Sequence, residues 1–148
     1  MPTALLDTNV LVHAAGVTAR FHAAAAELVD RGLRQRDRYC IAPQNLVEFA
    51  AVVTKPRVVQ KPMSPSEMSR MADILYRSRR LTKIYPQRAT VMRAIRQGDA
   101  LSINGPLWYD LFLAATMRDA GVRRIITDNT ADFDRFPFVT AVRIEDAV

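Results

Sequence analysis

Four places along the chain carry oxygen-donor side chains that could do chemistry together. Asp7 directly follows the apolar run Ala4, Leu5 and Leu6, and Glu48 lies in "NLVEFAAVV". Asp110 lies in "LWYDLF", and Asp128, Asn129 and Asp132 lie in "TDNTADF". Two unit charges ~4 Å apart repel by about 4 kcal/mol at an effective dielectric near ~20, so several clustered carboxylates need a cation. Oxygen-only donors with no thiolate or imidazole beside them select a hard ion, Mg2+, with Mn2+ as its substitute. Such ions keep waters, complete their shell with phosphate oxygens and activate water against a phosphodiester. The residue types therefore point to a metal-dependent nuclease. Each acid also has a simpler reading. Asp7 or Asn9 could cap a helix, Asp110 could suit a helix N-terminus, Glu48 could sit on a wetted helix face, and the 128–132 stretch could be an Asx turn.

Asp110 argues hardest for a site. On a helix its neighbours at three, four and seven residues are Leu107, Leu113, Ala114 and Met117, so the carboxylate points along a packing face. No Lys or Arg lies within one turn of it. A buried carboxylate must be paired, hydrogen-bonded or bound to a cation.

The elements that must position these residues alternate along the chain. Residues 3–6 read as a buried strand and 8–15 as a helix broken near Gly16. The Ala-rich segment 19–36 reads as a second helix. "YCIA" (39–42) is a strand, and Pro43 opens a helix to about Thr54. A loop with Pro56, Pro62 and Pro65 follows, with Ser64 or Ser66 capping a helix that ends in "YRSRR". "LTKIY" (81–85) is a strand, Pro86 opens a helix, and the Gly98–Gly105 region reads as loop. "LWYDLFLAATMRDA" is a helix closed by Gly121, and "VRRIIT" and "TAVRI" are strands. This order predicts an α/β fold with a central parallel β-sheet of four to five short strands flanked by helices on both faces. In such sheets the polar site lies outside the C-terminal ends of the strands, where all four acidic places fall.

Composition bounds the remaining possibilities. With 148 residues, nearly half apolar and about a quarter charged, the chain is expected to form one domain, 1–148. No apolar stretch approaches the ~20 residues of a membrane span, and no signal peptide is recognisable. Cys40 is the only cysteine, which excludes an internal disulfide and a cysteine zinc cage and suits a reducing cytoplasm. His13 and His22 lack a metal-ligand companion at useful spacing and are expected on helix surfaces. A net charge of +6 favours a polyanionic partner. Basic residues cluster at Arg31, Arg34, Arg36 and Arg38, at Arg77, Arg79, Arg80 and Lys83, and at Arg123 and Arg124. Each cluster also reads as a solvated helix end.

"LLDTNV", "NLVEFAAVV", "WYDLFLAATM" and "IITDNTADFDRF" resemble, in order, the four motifs of the PIN domain family, and within it the VapC-like ribonuclease toxins. The resemblance covers essentially the whole chain. It implies that Asp7 and Asp110 hold the metal, and that Glu48 binds through water or orients the nucleophile. In the last motif the usual acidic position falls on Asn129, so Asp128 or Asp132 must supply the carboxylate, Asp132 preferentially. Thr8, Asn9, Asn45 and Thr127 match polar positions that steady the carboxylates. The resemblance further implies an RNA substrate, a VapB-like antitoxin partner and a homodimer. Arg77, Arg79 or Arg80 are candidates to grip the RNA strand. A PIN nuclease of RNA processing outside toxin–antitoxin pairs, and an inactive PIN module that only binds RNA or protein, stay open. A phosphate-binding Gly-rich loop is absent from a chain with five glycines.

Overall fold

A computed structural model describes residues 1–56 and 61–148. Five short strands form one sheet: β1 (Ala4–Leu6), β2 (Tyr39–Ile41), β3 (Thr82–Lys83), β4 (Arg124–Thr127) and β5 (Thr140–Arg143). Their order is β3-β2-β1-β4-β5, and every neighbouring pair is parallel, as the alternation of elements predicts. The register sets Leu5 beside Cys40 on one side and beside Ile125 on the other.

Among the described residues seven α-helices connect the strands: α1 (Thr8–Ala15), α2 (His22–Arg34), α3 (Pro43–Val53), α4 (Pro65–Arg77), α5 (Arg88–Ala100), α6 (Leu107–Asp119) and the single-turn α7 (Thr130–Phe133). The strand triplets are buried throughout because alternate residues feed two cores. Ala4, Leu6, Tyr39, Ile41 and Ile126 pack with Val10, Leu28, Phe49 and Leu75 beneath α1–α4. Leu5, Cys40 and Ile125 face the other way, against Leu111, Ala114 and Met117 of α6 and Phe133 and Phe136. Helices thus cover both faces.

Local chemistry sets most boundaries. Ser64 and Glu67 exchange side-chain-to-backbone hydrogen bonds at 3.1 and 3.2 Å, with Pro65 in the first turn, so Ser64 rather than Ser66 caps α4. Gly121 follows α6 at φ +77°, the left-handed conformation that ends a helix. Part of the expected loop between α3 and α4 lies outside the described residues.

Other boundaries differ from expectation: α2 begins at His22 rather than at 19, and α5 begins at Arg88 after the Gln87 cap rather than at Pro86. The expected strand 81–85 shrinks to Thr82–Lys83, an edge strand with one further ladder bond from Ile84 N–H to the Ile41 carbonyl at 3.0 Å. Gly98 is helical rather than loop, because α5 runs on to Ala100. A Cβ there would stand 2.1 Å from the Trp108 ring, so glycine is what lets α6 lay its indole on the α5 backbone.

Candidate active site

Because all five strands are parallel, residues that follow them meet at one rim of the sheet. Asp7 sits there directly after β1 and caps α1, its Oδ1 accepting the Thr8 N–H at 2.8 Å. Its backbone N–H still reaches the Ile126 carbonyl at 3.0 Å, so β4 fixes the carboxylate before the helix begins. Oδ2 accepts the Thr127 hydroxyl at 2.8 Å and the Asn9 amide at 3.3 Å. Asp7 thus caps α1 through one oxygen and is tied to the end of β4 through the other.

Glu48 comes from the second turn of α3. Its Oε2 accepts the Thr8 hydroxyl at 2.9 Å, and its Oε1 accepts the Gln44 amide at 2.7 Å. Gln44 also donates to the Tyr109 carbonyl at 3.0 Å, linking α3 to the first turn of α6 beside Asp110. Asn45 is fully buried. It accepts the Ala42 N–H at 2.8 Å and donates to the Thr8 hydroxyl at 3.2 Å, so it locks the start of α3 to the start of α1.

The turn after β4 is held the same way. Thr127 Oγ accepts the Asn9 amide at 2.9 Å and the Asn129 N–H at 3.1 Å, while Asn9 Oδ1 accepts the Asp128 N–H at 3.1 Å. Thr8, Asn9, Asn45 and Thr127 thus all touch the carboxylates or the backbone that carries them. The Asn129 side chain is exposed and makes no capping bond to α7. Asp128 and Asp132 are exposed as well. Asp128 raises the pKa of Asp7, whereas Asp132, in the first turn of α7, raises that of Asp110.

Electrostatics tie the acids into one pocket. Burial lifts Asp7 from 3.8 to about 6, against the opposing bonds from Thr127 and Thr8, with the charges of Glu48 and Asp128 adding to the rise. Asp110 is lifted to about 7, by desolvation first and then by the charges of Asp7, Asp132 and Glu48. Asp110 is half-buried rather than packed away, because its place in the first turn of α6 leaves it at the rim. Among the described residues no Lys or Arg forms an ion pair with Asp7, Glu48, Asp110, Asp128 or Asp132.

The donor set suits a hard cation. Asp7 and Asp110 are ionised only at a cost, their neighbours are mostly oxygen donors, and no Lys or Arg among the described residues offsets their charge. Among the described residues no three of His, Cys, Asp and Glu close around a single point as an all-protein metal cage.

Two residues near the acids carry no signal of their own in the sequence pattern. His13 is not a surface side chain: its ring stacks edge-on to Phe21 at 5.3 Å, and its Nε2 lies 2.8 Å from Asp128 Oδ2. It follows Asn9 by four residues on α1, a spacing that could have flagged it. Gln44 precedes Glu48 by the same interval. The topology also locates the arginines that are candidates to grip the RNA strand. Arg77, Arg79 and Arg80 precede β3, so the parallel topology sets them at the opposite edge of the sheet from the carboxylates.

Residues 4–139 match the PIN domain family. The chain is a PIN domain. Solved structures agree on the fold. DNA-bound VapBC from Salmonella typhimurium superposes with a TM-score of 0.67 at 18% identity, covering 97% of this chain and 99% of that one. VapBC2 from Rickettsia felis, bound to a promoter DNA fragment, gives 0.66 at 18% identity, with 95% and 97% covered. A sarcin–ricin-loop-cleaving VapC toxin of Mycobacterium tuberculosis gives 0.62 at 12% identity, with 82% and 86% covered. A comparison with curated proteins returned no match. The PIN domain of this chain carries its acids on β1, α3, α6 and the β4–α7 turn, and no helix among the described residues is long and apolar enough to cross a membrane.

Proposed function

We propose that this PIN domain is a Mg2+-dependent endoribonuclease acting as the toxin of a toxin–antitoxin pair. The observation that carries the reading is the carboxylate pocket without a Lys or Arg partner, in which the charge of Asp7 raises the cost of ionising Asp110 from a distant element. Asp7 and Asp110 would hold the ion directly. Glu48, held by Thr8 and Gln44, would orient the attacking water, and Asp132 would supply the acid that Asn129 does not. Thr127 and Asn9 hold Asp7 Oδ2 in place at the end of β1. Bound Mg2+ would supply Lewis-acid activation of water and of the scissile phosphodiester.

The partner half of the reading rests on shape and on the fold's likeness to VapC chains in VapBC complexes. An apolar groove of about 760 Å³ runs between the α1–α2 turn and the start of α4, lined by Val12, Val17, Pro62 and Met63. His13 belongs to both the groove and the Asp128 contact, so a peptide seated in the groove ends beside the carboxylates. An antitoxin segment with apolar anchors and a cationic end fits that path. Cleavage of total cellular RNA in Mg2+, lost in Asp7→Asn and Asp110→Asn and blocked by the co-expressed antitoxin, tests the proposal. Cleavage at the parent rate by Asp7→Asn overturns it.

A further inference from the structure

The acidic pocket leaves the rest of the molecule far more basic than its net charge implies. Five of the fifteen acids lie at the pocket, so the remaining surface carries 21 cations against ten anions. The topology concentrates part of that excess. Arg36 and Arg38 precede β2, Arg79 and Arg80 precede β3, and Arg123 with Arg124 opens β4. In a parallel sheet all these positions share the edge opposite the carboxylates. Hydrogen bonds to the backbone knit them together: Asp37 N–H reaches the Arg80 carbonyl at 2.9 Å, Thr3 N–H the Arg38 carbonyl at 3.0 Å, and Arg80 Nη1 the Arg34 carbonyl at 2.7 Å.

Helix ends do not account for this charge. α2, α4 and α6 all finish at this edge, and three C-terminal dipoles of about −0.5 each amount to about −1.5 charges. Arg31, Arg34 and Arg77 already pair with Glu27, Asp30 and Asp73 on their own helices. Arg38, Arg79, Arg80, Arg123 and Arg124 are exposed, and among the described residues none has a carboxylate within 4.0 Å. Asp37, set among them, binds Thr82 at 2.8 Å and lies 3.9 Å from Arg36, while Asp119, which ends α6 at this edge, is taken up by Arg93. Unpaired guanidiniums gathered on one edge repel one another, so their concentration here points to a ligand.

From this we infer that the N-terminal edge of the sheet is a second docking surface, for the phosphate backbone of RNA, on the side of the molecule away from the carboxylate pocket. The span from β3 to β4 is three strand spacings, about 14 Å, enough for several phosphates in a row. The five unpaired side-chain cations named above are all arginine, in a chain where eighteen of 21 basic residues are arginine. The guanidinium fork matches phosphate oxygens two at a time. RNA as the ligand rests on the proposed activity; the anion-binding chemistry does not. The surface would hold a folded RNA by a segment remote from the scissile bond.

Binding in EDTA isolates this surface from cleavage, because the bare carboxylates then repel phosphate at the pocket. The parent chain and Arg38→Gln/Arg79→Gln/Arg124→Gln are titrated with a labelled single-stranded RNA of about twenty nucleotides over a range of salt. Arg20→Gln/Lys61→Gln/Arg143→Gln, remote from this edge, removes the same charge, and thermal melts check that both variants fold. The patch variant should bind roughly tenfold or more weakly, and its salt slope should shrink by about 2, near 0.7 for each phosphate no longer neutralised. The control should weaken several-fold less. Equal losses in the two variants, no loss in either, or a loss confined to binding of anionic lipid vesicles would overturn the inference.

Discussion

Replacing Asp7 by Asn should stabilise the metal-free protein while abolishing its nuclease activity. In the folded chain Asp7 titrates at about 6 instead of 3.8, chiefly because burial penalises its charge. At about 1.4 kcal/mol per pH unit, that gap makes the ionised side chain cost the fold about 3 kcal/mol above pH 6. The sign follows from proton uptake. Between the two pKa values the native state holds a proton that the unfolded chain has lost, so acidification through this window stabilises the parent. The substituted amide removes the charge and keeps an oxygen for the Thr8 N–H. It no longer offers a second acceptor to Asn9 or Thr127, a deficit of about 1 kcal/mol. The balance is a gain of roughly 1–2 kcal/mol near pH 8, or about 2–8 °C in melting temperature for a chain of this size. Thermal melts by circular dichroism in EDTA, near pH 8 and again near pH 4, read it out. The gain should be present at the higher pH and gone at the lower. A variant that melts below the parent at pH 8, or a difference that ignores pH, would refute the claim that Asp7 is held ionised against its surroundings.

Thr127→Val keeps the volume but removes the hydroxyl that donates to Asp7, so the Asp7 pKa should climb further and Mn2+ affinity near pH 7 should fall about tenfold. Calorimetry at two pH values separates this from misfolding, because the deficit narrows as pH rises. Glu48→Gln breaks the acceptor pair for Thr8 and Gln44 and should lower RNA cleavage by roughly 10–100-fold with an unchanged melt. Gly98→Ala drives a methyl into the Trp108 ring, which should cost about 1–3 kcal/mol in urea unfolding, and Trp108→Leu in the same chain should recover part of it.

Much of this arrangement is legible in the sequence, and the exceptions share a cause. Buried triplets such as Ala4–Leu6, the Ser64–Glu67 cap and the Gly121 stop are local signals, and the structure follows them. The acids at positions 7, 48, 110 and 128–132 are legible because each follows a strand or opens a helix in an alternating α/β chain. Gly98 reads as a loop residue because its role depends on Trp108, ten residues on. The His13–Asp128 contact joins residues 115 apart, and only the four-residue spacing of His13 from Asn9 hints at it. The placing of the arginines could have been read. In a parallel sheet whatever precedes a strand lies opposite whatever follows one, so Arg79 and Arg80 could not reach a pocket that begins at Asp7.

The most direct measurement is a calorimetric titration of the purified chain with Mn2+ and with Mg2+ near pH ~6.5, in buffers of different ionisation enthalpy. If Asp7 and Asp110 share one ion, binding should release protons, tighten as the pH rises toward about 8, and vanish in both Asp7→Asn and Asp110→Asn. Binding that survives either substitution, or that takes up the metal without releasing a proton, would show that the two carboxylates do not form a common site.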